Sequence, residues 1–231
     1  MTATPKPVSQ ILKELRHMGS EKGRRGMARF GINVEKAYGI SVTKLRAYAK
    51  KIPKNHALAV ELWKSASHEA RILSLLVDEH AKVTEKQMDE MVRGFNSWDM
   101  TDLACNNLFY DTPYAYEKAF EWVKREREFE KRSGYAMMAT LAWKGKKHSD
   151  AEFRKFFPAI VNGATDERNF VRKAVSWALR QMGKVNRELN SDAISVAEKI
   201  AAIDSKSARW IAADALRELK AVRKSGNYKR E

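Results

Sequence analysis

Apolar residues recur at three- and four-residue intervals along almost the whole chain, which is the spacing of one face of an α-helix. The alternation typical of half-buried strands is missing, and Asn162-Gly163 is the one Asn-Gly or Asp-Gly pair. The spacing predicts helices over VSQILKELRHM, TKLRAYAKKI, ALAVELWKSA, EARILSLLVDEH, TEKQMDEMVRGF, YEKAFEWVKRE, GYAMMATLAW, DAEFRKFFPAIV, FVRKAVSWALRQM, SDAISVAEKIAAI and ARWIAADALRELK. The sequence therefore predicts an all-α protein.

Several of these helices share a local pattern of a polar entry, an arginine and then an apolar stripe. The arginines are Arg71, Arg132, Arg172 and Arg209, and from Arg132 onward they recur about every 40 residues. That period is typical of HEAT-type repeats, in which stacked helical pairs build a curved solenoid. We predict a superhelical stack of HEAT-like helical repeats, with a concave face that is basic if Arg and Lys side chains line it.

No segment of the chain has the composition of a linker, so the sequence predicts a single domain over residues 1–231. We expect about residues 1–6 and 225–231 to be disordered. The segment SEKGRRGMARFGIN contains three glycines, and we expect it to end one helix and begin another.

The charge balance points to an anionic partner. The chain has 44 Lys+Arg against 29 Asp+Glu, a net charge of +15, and an isoelectric point of about 9.8. A domain this basic is typical of nucleic-acid binding, although anionic membranes attract basic proteins too. The N-terminus has no signal-peptide core and no apolar run is long enough to span a membrane, so we expect a cytoplasmic protein without membrane attachment.

Other chemistries are excluded by missing motifs. The single Cys105 cannot form an internal disulfide, and its apolar neighbours indicate a buried structural thiol. The five histidines show no metal-ligand spacing, and P-loop, G-x-G-x-x-G and nucleophile-elbow motifs are absent. We therefore expect no metal and no cofactor.

The segment SWDMTDLACNNLF carries the candidate chemistry. Trp98 and Asp102 are four residues apart, so one helical face presents an indole and a carboxylate. In a basic scaffold, that pair suits stabilisation of a sugar cation beside phosphates. The alternative is ordinary packing: Trp98 and Trp177 are core residues, and Asp99 and Asp102 are acids near a helix N-terminus after Ser97. Asp99 also competes with Asp102 for any catalytic role, but it lies on a different face from Trp98.

Five segments in order resemble one family. They are MARFGIN with GISVTKLR, ELWKSASHEARILSLLV, SWDMTD, FVRKAVSWALR and SKSARWIAADALRELK. From about residue 27 to residue 220 the chain resembles the AlkD-type DNA alkylation repair enzymes, which are DNA glycosylases built from HEAT-like repeats. The resemblance implies a monofunctional alkylpurine-DNA glycosylase, a hydrolase that releases N3- or N7-alkylated purines such as 3-methyladenine and 7-methylguanine from double-stranded DNA. We expect it to act as a monomer.

The resemblance also implies roles for individual residues. Asp102 matches the catalytic carboxylate of the family's W-D-x-x-D segment, and Trp98 and Trp177 match the indoles that flank the deoxyribose of the damaged nucleotide. The alkylated purine is already cationic, so it leaves without protonation by a protein acid. The barrier then lies in the positive charge that develops on the sugar, which a carboxylate stabilises.

Basic and aromatic positions complete the expected DNA contacts. Arg46, Lys173 and Arg180 match basic positions of the family and are implied to meet phosphates, although a solvated basic face explains most such residues. Phe30 stands where the family has a tyrosine. Gly134 stands where the family has an arginine, and Arg132 replaces it only if the register shifts. These departures favour an alternative function: a non-catalytic HEAT-like protein that binds branched or bent DNA. The basic charge also leaves open a HEAT scaffold that binds an acidic protein.

Overall fold

The computed structural model describes residues 6–144 and 148–230, and within them it contains α-helices and short 3-10 turns but no strand. The all-α prediction is confirmed. The chain divides into two compact units, Met1–Thr112 and Pro113–Glu231. The single-domain assignment stays a prediction.

The first unit is built on helices that pack mainly around α5. Its helices are α1 (Val8–Met18), α2 (Glu21–Arg29), α3 (Val42–Ala49), α4 (His56–Lys64), α5 (His68–Val77), α6 (Glu85–Arg93) and α7 (Trp98–Asn107). Helices α3, α4 and α7 all contact α5, which buries Ile72, Leu73 and Leu75. Most of these helices begin at a side-chain cap, for example Ser67, whose hydroxyl accepts the Ala70 N–H.

The second unit has the longest helices. These are α8 (Ala115–Trp122), α9 (Glu128–Lys144), α10 (Asp150–Arg154), α11 (Phe157–Asn162), α12 (Asn169–Met182), α13 (Arg187–Ala201) and α14 (Lys206–Ser225). Helix α12 packs on α9 and α14, α8 packs on α9, and α13 packs on α14. The core helix α9 is buried along most of its length, including Tyr135–Ala139.

Some side-chain hydrogen bonds in the second unit join residues whose sequence separation is close to the spacing of about 40 residues between the repeated arginines. The Ser176 hydroxyl donates to Asp214 at 2.7 Å, and the Arg154 guanidinium donates to Asp192 at 2.8 Å. Both contacts join residues 38 positions apart. Equivalent helices of successive repeats therefore lie side by side, which is how a repeat protein buries a continuous core.

Two segments differ from the sequence prediction. Gly23 and Gly26 lie inside α2 rather than at a helix break. Gly23 is required for packing, because a Cβ at this position would lie 1.9 Å from the Gly39 carbonyl oxygen. The segment DAEFRKFFPAIV is split into α10 and α11, and Pro158 stands in the first turn of α11, where its missing N–H costs no hydrogen bond.

A buried carboxylate fixes the loop before α3. Glu69 on α5 is 0% exposed, and its carboxylate accepts the backbone N–H groups of Tyr38, Gly39 and Ile40 at 2.7–3.1 Å. Gly39 lies at φ 87°, a conformation that glycine adopts most readily. The backbone N–H groups of residues 38–40 therefore depend on one distant side chain.

The chain ends include residues for which we expected disorder. Residues 1–5 and residue 231 lie outside the described residues. Gly226, at φ 67°, ends α14. The following Lys229 and Arg230 donate their backbone N–H groups to the carbonyls of Lys184 and Val185 at 3.0 and 2.8 Å.

The capping box of α10 gives a pH-dependent contribution to stability. Hydrogen bonds from the Ser149 N–H, the His148 ring and the Ser149 hydroxyl lower the pKa of Glu152 from 4.5 to about 2. A carboxyl with a lowered folded-state pKa stabilises the fold above its unfolded pKa and loses that contribution as pH falls. We expect wild type and Glu152→Gln to differ in urea midpoint at pH 7 and to converge between about pH 4.5 and pH 2. A constant difference over this range would contradict the prediction.

Candidate functional site

The start of α7 places the candidate carboxylate and indole where the sequence predicts. Trp98 is the first residue of α7 and Asp102 lies one turn later. Both side chains are partly exposed, whereas Asp99, Met100 and Thr101 between them are buried. One face of α7 therefore brings an indole and a carboxylate to the surface together.

The Trp98 indole is held by the end of α2. Its Nε1–H donates to the Phe30 carbonyl oxygen at 2.9 Å. The Phe30 ring is 69% exposed, which is high for a large apolar side chain. The contact to Trp98 is made by the Phe30 backbone, so the substitution of phenylalanine for tyrosine leaves it intact.

Asp99 is excluded as the reactive carboxylate by its surroundings. It is 8% exposed, and one of its oxygens lies 3.0 Å from Nε2 of the buried His68. Burial raises the pKa of Asp99, but the hydrogen bond and charge of His68, together with hydrogen bonds from Ser97 and the Met100 backbone, hold this pKa below its ordinary value. Asp99 is thus a packing residue, which leaves Asp102 as the accessible carboxylate of the segment.

Trp177 belongs to the second unit, in the middle of α12. It is partly exposed, and Lys173 is exposed one turn earlier on the same helical face. Trp98 and Asp102 belong to the first unit. A shared site for all three side chains stays a prediction.

Arg180 is engaged in an ionic cluster within the second unit. Its guanidinium donates to Glu218, and its Nε lies 3.4 Å from an Asp214 oxygen. Lys184 also pairs with Glu218. Burial raises the pKa of Glu218, but hydrogen bonds from Lys184 and Arg180 hold it below its ordinary value. A phosphate contact by Arg180 has to compete with these carboxylates.

Arg46 is exposed on α3 and lies beside the end of α7. Its Nη1 donates to the Asn107 side-chain oxygen at 3.0 Å. Arg46, Lys50 and Lys54 line an open groove of about 690 Å³ in the first unit. The position suits a phosphate contact, which stays a prediction.

Arg132 requires a correction. We expected it to contact DNA, but it is 5% exposed and its Nη1 donates to the Phe170 carbonyl at 2.6 Å. It joins α9 to the start of α12 and has a structural role. Position 134 also cannot hold the arginine of the family pattern, because a Cβ at this residue would lie 2.5 Å from the Val123 nitrogen. The close approach of α8 and α9 leaves no room there for an arginine.

Residues 6–144 and 148–230 contain neither a candidate metal site nor a membrane-spanning helix. No three His, Cys, Asp or Glu side chains lie close enough together to hold a metal ion. No helix in this part of the chain combines the length and apolar composition needed to cross a membrane.

The family model described as DNA alkylation repair enzyme matches residues 11–219. The chain belongs to this family. The match runs from α1 to α14 and includes Phe30 and all the candidate residues on α3, α7, α9 and α12. It agrees with the resemblance seen in the sequence. A comparison of this DNA alkylation repair family member with curated proteins found no match.

Solved structures give the fold of the family member. One is described as a new family of proteins related to the HEAT-like repeat DNA glycosylases with affinity for branched DNA structures. The two sequences are 17% identical, and the structural alignment covers 96% of this chain and 97% of the other, with a TM-score of 0.80. The prediction of HEAT-like repeats is confirmed.

Two other structures are less similar. An engineered protein is 13% identical and covers 83% of this chain and 87% of that chain, with a TM-score of 0.45. A designed armadillo repeat protein in complex with the peptide (KR)4 is 14% identical. Its alignment covers 77% of this chain and 91% of the other, with a TM-score of 0.43.

Sequence reasoning missed two polar groups around the site. Glu69 lies within one of the motifs that carry the resemblance, and His68 is one of the five histidines without metal-ligand spacing. Both are buried at the start of α5 and bind segments that are about 30 residues away in the chain. A polar dipeptide followed by the apolar run ARILSLLV is the only local signal, and it does not reveal the partners.

Proposed function

We propose that the protein is a monofunctional DNA glycosylase that excises positively charged N3- or N7-alkylated purines from duplex DNA. The observation that carries this proposal is the partial exposure of Asp102 beside Trp98 on α7, while the neighbouring Asp99 is buried. Membership of the DNA alkylation repair family supports it.

The reaction follows from the charge of the substrate. The bond between C1′ and the alkylated purine breaks, and its electron pair neutralises the departing cationic base. The positive charge that develops on the sugar is stabilised by the Asp102 carboxylate. Water then adds to C1′ and loses a proton, for which the same carboxylate is the acceptor. The products are the free base and an abasic site.

The assay is base release from a duplex that contains a single 7-methylguanine or 3-methyladenine. The proposal predicts release faster than spontaneous loss under single-turnover conditions. An unmodified duplex of the same sequence is the control. Release that does not exceed spontaneous loss for either base would reject the glycosylase assignment.

The indoles are expected to contribute less than the carboxylate. An aromatic face near a cation is worth about 0.5–2 kcal/mol, which corresponds to roughly a 2- to 30-fold change in rate. We expect Trp98→Leu and Trp177→Leu each to slow base release by an amount in this range. The control is Trp122→Phe, which alters a buried aromatic residue of α8. If Trp177→Leu has no effect on release at saturating enzyme, Trp177 is not the second indole beside the deoxyribose.

A second candidate function is non-catalytic binding of branched or bent DNA. It is favoured by Phe30 and Gly134, which depart from the family pattern, and by the branched-DNA affinity of the structural neighbour. This alternative predicts tighter binding of a four-way junction than of a linear duplex, without base release. Equal affinity for the two DNAs at about 0.15 M salt would count against it.

A further inference from the structure

A small polar pocket lies in the first unit where α5 and α7 begin. Its volume is about 130 Å³, room for about four water molecules. Its polar lining consists of Asn33, Glu35, Lys36, His68, Arg71 and Asn96. None of these side chains has a part in the chemistry proposed for Asp102.

His68 is one of the lining residues and has an unused hydrogen-bonding atom. The residue is 5% exposed, and its Nδ1 is buried without a hydrogen-bond partner. The other ring nitrogen, Nε2, lies 3.0 Å from Asp99. Because a carboxylate only accepts hydrogen bonds, Nε2 carries the hydrogen, and Nδ1 is a donor when the ring is protonated. Most buried polar atoms in folded proteins have a hydrogen-bond partner, so the unpaired Nδ1 points to a ligand or a water molecule at this position.

The charges around the pocket favour an anion. Lys36 and Arg71 are cationic, and Glu35 is the one acidic side chain in the lining. The Arg71 guanidinium is fixed by donating to the Ser65 and Gly94 carbonyls at 3.2 Å. Its position therefore does not depend on a ligand.

Two helices also begin at this pocket. His68 opens α5, and Asn96 lies two residues before the start of α7. The N-terminal end of a helix carries a partial positive charge and favours anions.

We propose that this pocket is a phosphate subsite, in which the His68 ring, Lys36 and Arg71 hold one phosphate group. The group is either a backbone phosphate of bound DNA or free inorganic phosphate, since the two present the same oxygens. The DNA source rests on the proposed function, whereas binding of inorganic phosphate does not.

The test follows the His68 ring resonances by NMR while inorganic phosphate is added near pH 6. We expect a saturable shift of the His68 signals. Lys36→Met should weaken binding by about 1.5-fold to fivefold, the range for one exposed charge, and Glu35→Gln should tighten it. Lys86→Met is the matched control, because this exposed lysine of α6 is not part of the pocket lining. No His68 shift, or equal effects of Lys36→Met and Lys86→Met, would overturn the proposal.

A second arm distinguishes the two sources. An unmodified duplex that displaces inorganic phosphate from the subsite identifies the DNA backbone as the ligand. A duplex that binds without displacing it identifies free phosphate. Asp102→Asn is expected to leave phosphate binding unchanged, so loss of base release in that variant and loss of this subsite are separate results.

Discussion

Asp102→Asn is expected to slow single-turnover release of 7-methylguanine by at least about 10²- to 10³-fold, the usual cost of removing one preorganised electrostatic contact to a transition state. The amide keeps the shape of the side chain but has no negative charge to stabilise the sugar cation. DNA affinity should be unchanged or higher, because one negative charge near the phosphates is removed. The measurement compares release rates at saturating enzyme with binding to a duplex that carries a stable base.

The control for this experiment is Asp204→Asn. The Asp204 side chain is fully exposed, and its substitution changes the net charge by the same amount. We expect it to leave the rate of release unchanged. Equal rates for Asp102→Asn and wild type would show that another group stabilises the sugar cation, and Asp99 is too deeply buried to replace it.

Glu69→Ala is expected to lower the free energy of unfolding by about 3–6 kcal/mol. The buried carboxylate accepts three backbone N–H groups, from Tyr38, Gly39 and Ile40. Each buried donor left without a partner costs about 1–3 kcal/mol, and some of this is recovered if water enters. Urea unfolding followed by circular dichroism measures the change. We expect Glu69→Gln to fall between wild type and Glu69→Ala, because its amide oxygen still accepts hydrogen bonds.

The matched control is Glu61→Ala on α4. Glu61 belongs to the same sequence motif, but it is exposed and its carboxylate pairs with Lys64 on its own helix. Exposed pairs of this kind are worth about 0–1 kcal/mol. Similar losses of stability for the two variants would mean that the loop at residues 38–40 does not depend on Glu69.

The fold was predictable from local pattern because helix periodicity is a local property. The segments proposed for α1 and α12 agree with the structure within one residue. Helix α2 was missed because a glycine such as Gly23 usually indicates a helix break. Here the glycine is needed for another reason: the backbone of Gly39, which is distant in the sequence, packs closely against it. The same reason explains the error at Arg132, whose carbonyl partner is 38 residues away.

The candidate site was predictable only in part. Helical phase correctly separated Asp102 from Asp99, because both lie on one helix and their relative orientation is fixed by its geometry. The sequence did not reveal that His68 pairs with Asp99 or that the Phe30 carbonyl holds Trp98. These contacts bring together residues that are 31 and 68 positions apart, so only the folded chain defines them.

Residue 30 holds the Trp98 indole through its main-chain carbonyl and presents its side chain to solvent. A hydrogen bond from the side chain would have tied the position of the indole to the identity of residue 30. Because the indole is oriented by a backbone carbonyl, the exposed side chain at residue 30 can change without loss of this hydrogen bond. Residue 30 is therefore a natural place to look for sequence divergence among related proteins. It is also a convenient site for a library in directed evolution, since its variants should retain an intact α7.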